Sequence, residues 1–352
     1  MTILLVLVEG SFFIMQWEIY KRKFTHKAKS ARFDEGYIER CLNYAENLHK
    51  QGVPIIYDIE HFSHLVGYDV SYLLRASNAQ ARFYRHFTIP KKNNTERSIS
   101  EPLPSLKEVQ RWILDNILDK LALSRFAKGF VKNRNIKENA RFHRKQRYVL
   151  SLDIKNFFPS IKYKQVFHLF SSIGYCESVS TLLSNLCTLD NSLPQGAPTS
   201  PAISNLVCRR VDSRLSGFAL KNKIRYTRYA DDITFSGDFD PGRILRFTSK
   251  VLSESKFTVN KTKTRLMEQH QRQEVTGIVV NSKMQAPREL RKKLRQQIYY
   301  IKEFGLESHL KATNNKRANY LSHLKGLAGF VLFINNKDSD AKEAIDFLET
   351  FS

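Results

Sequence analysis

Apolar residues follow different spacings along the chain, and these spacings divide it into parts. Residues 35–85 and 106–126 carry apolar positions three and four apart, which predicts amphipathic helices. Residues 148–154 form a short apolar run that delivers Asp153 to its end, as expected of a buried strand leading to a sheet edge or cleft. Helical spacing dominates again from Pro287 onward. The pattern predicts an all-helical N-terminal module, a mixed α and β middle, and a helical C-terminal part.

Turn-forming residues mark two hairpins in the middle of the chain. Residues 84–99 alternate on either side of a turn at residues 90–94, which predicts a basic hairpin. Residues 224–236 form two strand-like runs that meet at Asp231 and Asp232. These paired acids are therefore predicted to lie at a hairpin turn.

The chain is strongly basic, with 57 Lys and Arg against 34 Asp and Glu and a formal net charge of +23. Its hydrophobic content of 42% is enough for real cores, so the charge does not belong to a disordered tail. The charge is concentrated, together with Phe, Tyr and His, in three windows: residues 20–32, 125–147 and 287–302. This distribution favours nucleic acid as the partner over an anionic membrane surface or an acidic protein.

The cysteines and the first residues bear on the compartment. Glu9 and Gly10 interrupt the apolar runs of residues 1–17, so we expect no membrane segment there, and Met15 is a hypothetical natural start. The cysteines form no CxxC pair or zinc pattern, which predicts a reduced, cytoplasmic protein. They are Cys41, Cys176, Cys187 and Cys208.

The predicted positions of three carboxylates suggest a chemistry. Paired aspartates in a turn are usually ordinary turn residues, but Asp231 and Asp232 have apolar flanks that place the turn against a core. Partly buried carboxylates repel each other unless a cation neutralises them, and with Asp153 they form a donor set suited to Mg²⁺. Together with the basic windows, this indicates metal-dependent phosphoryl transfer on nucleic acid. The residues alone leave open whether phosphodiesters are made or broken.

Five segments resemble a known family. SLDIKNFFPSI (151–161), the proline-rich loop LPQGAPTSP (193–201) and YTRYADDITFS (226–236) resemble, in order, successive palm motifs of a reverse transcriptase. NARFH (139–143) resembles the NAxxH signature of retron-type enzymes, and VTGIVVN (275–281) resembles their VTG segment. The resemblance favours a retron-type enzyme over group II intron maturases and CRISPR-associated relatives.

The resemblance implies an α+β right-hand polymerase with fingers, an antiparallel palm sheet, a thumb and an N-terminal helical extension. The expected divisions are residues 1–85 for the extension, 86–274 for fingers and palm, and 275–352 for the thumb, without an RNase H-like domain. The implied activity is RNA-directed DNA synthesis from dNTPs on a structured non-coding RNA that is template and primer. A branched RNA–DNA product and an effector protein in antiphage defence are further expectations. Alternatives are a defence reverse transcriptase with another DNA product and a catalytically silent RNA-binding scaffold.

The resemblance also implies roles in the palm. Asp153, Asp231 and Asp232 match the catalytic aspartates that hold two Mg²⁺ ions, with the Ile154 carbonyl as an additional ligand. Phe158 matches the aromatic gate that excludes a ribose 2′-OH. The alternative that Phe157 and Phe158 both belong to the core fits only one of them, because successive residues on an extended segment face opposite ways.

The remaining expected contacts are with the nucleotide and the nucleic acid. Those assigned to the incoming nucleotide are Arg97, Arg134, Gln195 and Gly196. Those assigned to RNA or DNA are Tyr229 near the primer terminus, Asn139, His143, and the thumb cations Arg288, Arg291, Lys292 and Arg295. The alternative for His143 is a hydrogen-bonded histidine on a basic helix. Gly326 and Gly329 are expected to allow close approach of thumb helices.

Overall fold

The computed structural model describes the backbone of residues 2–90 and 96–351, and side chains from residue 16 onward within those ranges. The chain forms two compact units, each built from two segments of the sequence. The first unit comprises residues 1–123 and 156–208, and the second comprises residues 124–155 and 209–352.

Helices and antiparallel strands alternate along the described residues. The helices are α1 (Thr2–Ser30), α2 (Glu35–Lys50), α3 (Ile59–Val66), α4 (Val70–Asn78), α5 (Pro104–Asn116), α6 (Ile136–Phe142), α7 (Phe157–Ser160), α8 (Tyr163–Ile173), α9 (Glu177–Cys187), α10 (Ser200–Val207), α11 (Arg209–Lys221), α12 (Pro241–Glu254), α13 (Arg288–Phe304), α14 (Leu306–Ala312), α15 (Tyr320–Ile334) and α16 (Ser339–Glu349). The strands are β1 (Tyr84–Pro90), β2 (Glu96–Pro102), β3 (Tyr148–Asp153), β4 (Arg225–Tyr229), β5 (Asp232–Gly237), β6 (Arg265–Glu268), β7 (Glu274–Val275) and β8 (Ile278–Val279).

The first unit begins with the expected helical module. The side chains of Asp34 and Asp58 accept backbone N–H groups at the starts of α2 and α3, which explains where these helices begin. The ring of Trp17 in α1 stacks on His49 in α2, with centroids 5.3 Å apart. The amphipathic pattern thus predicted this module correctly.

The fingers hairpin follows in the same unit. Strands β1 and β2 pair antiparallel, as predicted, whereas the predicted turn lies mostly in residues 91–95, outside the described residues. Helix α5 ends at Asn116, ten residues earlier than the apolar spacing predicts. Ile117 leaves the helix (φ −114°), and a short 3-10 turn buries Leu118, so the apolar positions beyond α5 reflect burial and not a continuous helix.

The second unit contains the palm sheet, whose strand order is β4-β5-β3-β6 with all neighbours antiparallel. One face carries Leu150, Leu152, Ile233 and Phe235, all buried. The opposite face carries small polar residues, because side chains alternate along a strand. This sheet fixes where its acidic residues lie.

The C-terminal helices share one hydrophobic core with residues of α6, β3, β7 and β8 within the second unit. Leu294, Ile298 and Ile301 on α13 are buried against residues of α15 and α16, as the predicted apolar face requires. The expectation for Gly326 and Gly329 is wrong, because a Cβ at either position would meet no atom within 4 Å. These glycines therefore do not mark a close helix approach.

Within the described part of the chain, no helix has the length and apolar character needed to cross a membrane. The division into extension, fingers with palm, and thumb stays a prediction.

Candidate catalytic site

The three candidate catalytic aspartates come together at one end of the palm sheet. Asp153 is the last residue of β3 and lies directly opposite Asp232, the first residue of β5. Ala230 and Asp231 form the turn between β4 and β5, and Ala230 adopts a left-handed conformation (φ 57°). The N–H of Ile154 donates to the carbonyl of Asp231 at 3.0 Å, which ties the end of β3 to the turn. The sequence predicted this hairpin and its acids correctly.

The electrostatics of the site are those of crowded negative charge. The pKa of Asp232 is raised to about 6, chiefly by burial and then by the charges of Asp231 and Asp153. The ammonium of Lys263 opposes this effect. Its Nζ lies 2.7 Å from Asp153 Oδ1, and this hydrogen bond is the largest cause of the raised pKa of Lys263.

Asn260 holds the other oxygen of Asp153. Its Nδ2 donates to Asp153 Oδ2 at 3.1 Å, and its backbone N–H donates to the Asp153 carbonyl at 2.7 Å. Sequence reasoning singled out neither Asn260 nor Lys263. Lys263 follows Asp153 by 110 residues, so no local pattern connects the two.

These residues fit a hard divalent cation bound in an open site. Carboxylate oxygens are the ligands that Mg²⁺ prefers, and a cation would relieve the repulsion that raises the pKa of Asp232. In the described ranges, no three acidic, histidine or cysteine side chains converge to hold a metal ion by themselves.

A buried arginine is hydrogen-bonded to the turn between β4 and β5. The guanidinium of Arg228, in β4, forms a two-point ion pair with Asp212, in α11, and both side chains are fully buried. Its Nη1 donates to the carbonyl of Ala230 at 3.0 Å. Tyr226 donates its hydroxyl hydrogen to Asp212 Oδ1 at 2.6 Å. This network fixes the turn residue next to the acids, and sequence reasoning missed it.

The segment of residues 126–129 runs along the edge of β4. Lys128 N–H donates to the Arg228 carbonyl at 2.7 Å. A Cβ on Gly129 would lie 2.7 Å from the backbone nitrogen of Ala230, so a larger residue would displace the turn. The segment is therefore packed against the catalytic hairpin too closely for any side chain at residue 129.

Arg134 secures this edge segment. Its Nη1 donates to the carbonyls of Arg125 (2.8 Å) and Ala127 (2.6 Å), with Ser124 at 3.5 Å. One guanidinium nitrogen thus holds three successive parts of the loop, at residues 124, 125 and 127. The expected contact of Arg134 with the triphosphate stays a prediction.

The expected contacts of Asn139 and His143 with RNA or DNA are wrong. Both side chains are fully buried, so neither contacts nucleic acid in this conformation. The two imidazole nitrogens lie 2.7 Å from the hydroxyls of Ser236 and Thr227. The alternative of a hydrogen-bonded histidine therefore describes His143 better, although the side chain lies in a core and not on the surface of a basic helix. The basic flanks of NARFH made this segment resemble an exposed one.

Of the residues expected around the nucleotide, Arg97, Gln195 and Gly196 lie in the first unit. The carbonyl of Gln195 accepts the N–H of Ser100 at 2.8 Å, so the proline-rich loop is hydrogen-bonded to β2. Gly196 has φ 137°, and a Cβ there would lie 2.7 Å from the Ser100 carbonyl oxygen. Arg97 on β2 is exposed. The fingers hairpin and this loop therefore form one local structure.

Phe158 is partly exposed, and its neighbour Phe157 is buried. The expectation that the two rings face opposite ways on an extended segment is wrong, because the segment is not extended. Asn156 has φ 50°, and the two phenylalanines begin the short helix α7. The helical turn, and not strand alternation, separates the two rings.

The thumb cations of α13 divide into two groups. Arg291 and Arg295 are paired with acids, with Arg291 Nη1 3.8 Å from the buried Asp338 and the exposed Arg295 Nη1 3.2 Å from the partly exposed Asp340. Arg288 and Lys292 are exposed. Tyr229 is half-buried at the end of β4, and its contact with a primer stays a prediction.

Comparisons with known proteins match these features. Residues 89–323 fit the family model described as reverse transcriptase (RNA-dependent DNA polymerase). The retron Ec86 reverse transcriptase of Escherichia coli is 33% identical over 82% of this chain and 88% of its own length. The retron Mx65 reverse transcriptase of Myxococcus xanthus is 33% identical over 83% of this chain and 72% of its own. The aspartates, the proline-rich loop and these relatives agree, and the chain belongs to the retron reverse transcriptases, which are RNA-directed DNA polymerases.

Proposed function

We propose that this protein copies a structured non-coding RNA into DNA at the site formed by Asp153, Asp231 and Asp232. The observation that carries the proposal is the register of the palm sheet, which sets Asp153 opposite Asp232 beside the Asp231 turn. Reverse transcriptases generally depend on divalent metal ions, and the donor set here suits two Mg²⁺ ions. The Ile154 carbonyl is proposed as an additional ligand.

The aspartates act by fixing the reacting groups. Two bound Mg²⁺ ions supply activation of the attacking hydroxyl and stabilisation of the leaving pyrophosphate. The sheet holds Asp153 and Asp232 on paired positions, so their oxygens need little rearrangement. In the free protein Lys263 neutralises Asp153, and its exposed, flexible side chain can withdraw when the site is loaded. The protein thus keeps the acidic site folded before substrate arrives.

The nucleotide is proposed to bind between the proline-rich loop and α7. Gln195 and Gly196 flank the base, and Arg97 on the fingers hairpin pairs with the triphosphate, since a guanidinium suits phosphate oxygens. The ring of Phe158 lies beneath the sugar and excludes a 2′-OH. This arrangement selects dNTPs over rNTPs.

The exposed cations of the thumb are proposed to hold the RNA–DNA duplex. Arg288 and Lys292 are one turn apart on α13 and reach phosphates from the same side of the helix. Arg291 and Arg295 support this surface through their acidic partners instead of binding RNA alone. Tyr229 contacts the primer terminus.

The product is proposed to be DNA joined to the 2′-OH of its own RNA, formed in the cytoplasm and used with an effector protein in antiphage defence. The retron relatives support this choice. The four cysteines form no disulfide among the described residues, in line with a reducing compartment.

The proposal is tested on protein purified with its bound nucleic acid. Sequencing before and after debranching is expected to give DNA linked to one defined RNA by a 2′–5′ bond. Asp231→Asn is expected to abolish Mg²⁺-dependent dNTP incorporation, with exposed Asp346→Asn as the matched control. Unlinked repeat DNA would identify a different defence reverse transcriptase. Wild-type protein that binds RNA without synthesis would identify a silent scaffold.

A further inference from the structure

A buried chain of hydrogen bonds crosses the palm of the second unit. Thr227 Oγ1 donates to Asn139 Oδ1 at 2.7 Å and lies 2.7 Å from His143 Nε2. His143 Nδ1 lies 2.7 Å from the hydroxyl of Ser236. All four residues are at most 1% exposed. No solvent therefore competes for these groups, and their hydrogen atoms can be assigned by counting donors.

The count gives one tautomer of His143. The single hydroxyl hydrogen of Thr227 goes to Asn139, so Thr227 Oγ1 must accept from the imidazole. Nε2 is then the protonated nitrogen. Nδ1 carries a lone pair and accepts the hydroxyl hydrogen of Ser236. An imidazolium is disfavoured because full burial penalises its charge, and burial lowers the pKa of His143 to about 3.

The imidazole thereby joins both strands of the catalytic hairpin. Thr227 is in β4 and Ser236 is in β5. Thr227 pairs with Thr234, which is two residues from Ser236 and two from Asp232. Alternation places these β5 side chains on one face of the sheet, and Asp153 pairs with Asp232 on that same face. His143 therefore covers the face that carries the acids.

The same network reaches the hairpin before the thumb. Asn139 Nδ2 donates to Thr276 Oγ1 at 3.5 Å, a long hydrogen bond. Thr276 and Gly277 form the turn between β7 and β8, and both have positive φ (47° and 80°). The NARFH and VTG segments are thus in contact through Asn139 and Thr276. Helix α6, which carries Asn139, packs against β4, β7 and β8.

We propose that His143 is a positioning residue for the catalytic hairpin: its neutral imidazole, protonated at Nε2, locks β4 to β5 and, through Asn139, to the VTG turn. The proposal rests on the proposed catalytic role of Asp231 and Asp232. It assigns Asn139 and His143 a role in holding these acids, in place of the contact with nucleic acid expected of them.

The tautomer is tested without any assay of synthesis. Long-range ¹H–¹⁵N spectra of the full chain with ¹⁵N-labelled histidines, assigned through His143→Gln, are expected to show a neutral Nε2–H imidazole. Ser236→Ala and Thr227→Ser should keep this tautomer, because the acceptor at Thr227 remains. Thr227→Val should convert His143 to the Nδ1–H form, which donates to Ser236. An Nδ1–H or charged imidazole in the wild-type protein overturns the proposal.

The positioning role is tested by single-nucleotide extension at saturating primer and template. His143→Leu is expected to lower kcat about 10-fold or more with the dNTP KM changed less than about 2-fold, and His143→Gln to recover most of the loss. His309 is the matched control, because it is a second buried histidine, hydrogen-bonded to Tyr320 at 2.8 Å in the thumb core. His309→Leu should keep kcat within about 2-fold.

Two results overturn the positioning role. One is folded His143→Leu protein with wild-type kcat. The other is an equal loss of kcat in His309→Leu, which would indicate a general effect of core damage. If the wild-type protein makes no DNA, the proposed function fails, whereas the spectra still decide the tautomer of His143.

Discussion

Arg228 and Asp212 form a fully buried ion pair in which Nε and Nη2 each lie 2.8 Å from a different carboxylate oxygen. The third guanidinium nitrogen donates to the Ala230 carbonyl beside Asp231. A buried charge pair with complete hydrogen bonding specifies a geometry even where an apolar pair would give equal stability. Here the specified geometry is that of the catalytic turn.

Removing one partner of this pair is expected to destabilise the folded protein strongly. Asp212→Ala leaves a buried guanidinium without its counter-charge, and we expect a loss of about 3–5 kcal/mol in the free energy of unfolding. The measurement is urea unfolding followed by circular dichroism. The exposed pair Arg147 and Asp238 is the control, for which Asp238→Ala should cost about 1 kcal/mol or less. Equal losses at the two sites would contradict the buried pair's special contribution.

The double variant Asp212→Leu with Arg228→Met tests whether the pair fixes the shape of the turn independently of its effect on the free energy of unfolding. Two apolar side chains avoid the unpaired charge, so the loss should be smaller than for Asp212→Ala. The Ala230 carbonyl nevertheless loses its donor. We therefore expect folded protein with primer extension reduced about 10-fold or more. Full activity in this variant would show that the turn holds its shape without Arg228.

The palm was predictable because its signals are local. An apolar run ending at Asp153 and two short runs meeting at Asp231 give strands and a turn from spacing alone. The polar partners of these strands were not predictable. Asn260 and Lys263 reach Asp153 from more than 100 residues away, and His143 is buried although its neighbours in sequence are basic. Burial of a polar group is decided by distant partners, which a local pattern does not contain.

Substitution at Gly196 tests the backbone contact between the proline-rich loop and the fingers hairpin. In Gly196→Ala the new Cβ would collide with the Ser100 carbonyl oxygen at a backbone conformation that L residues rarely adopt. We expect a cost of about 1–3 kcal/mol and weaker dNTP binding, seen as a raised KM. The control is Gly326→Ala, which has open space inside α15 and should stabilise by up to about 1 kcal/mol. Unchanged KM in Gly196→Ala would remove this loop from the nucleotide site.

Phe158→Ala tests the proposed sugar gate. Removing the partly exposed ring should make room for a 2′-OH, and we expect rNTP incorporation relative to dNTP to rise about 10-fold or more. Competing incorporation of one rNTP and its dNTP measures this ratio. Phe157→Ala is the control, because that ring is buried and its loss should cost about 3–5 kcal/mol of stability without changing the ratio. A wild-type ratio in Phe158→Ala would assign the gate to another residue.

Asp232→Asn is expected to stabilise the metal-free protein while abolishing activity. The folded state raises the pKa of Asp232 from 3.8 to about 6, so folding favours the protonated carboxyl. Stability is therefore lost as the pH rises from the unfolded pKa to the folded pKa, and the full cost is present above the folded pKa. At pH 8 with chelator, Asp232→Asn should gain up to about 3 kcal/mol. The gain should shrink as the pH falls through about 6 and vanish below the unfolded pKa. Added Mg²⁺ should raise the melting temperature of the wild-type protein more than that of the variant, because binding to the folded state stabilises it. Scanning calorimetry at several pH values measures both effects, and a pH-independent gain would contradict the raised pKa as its cause.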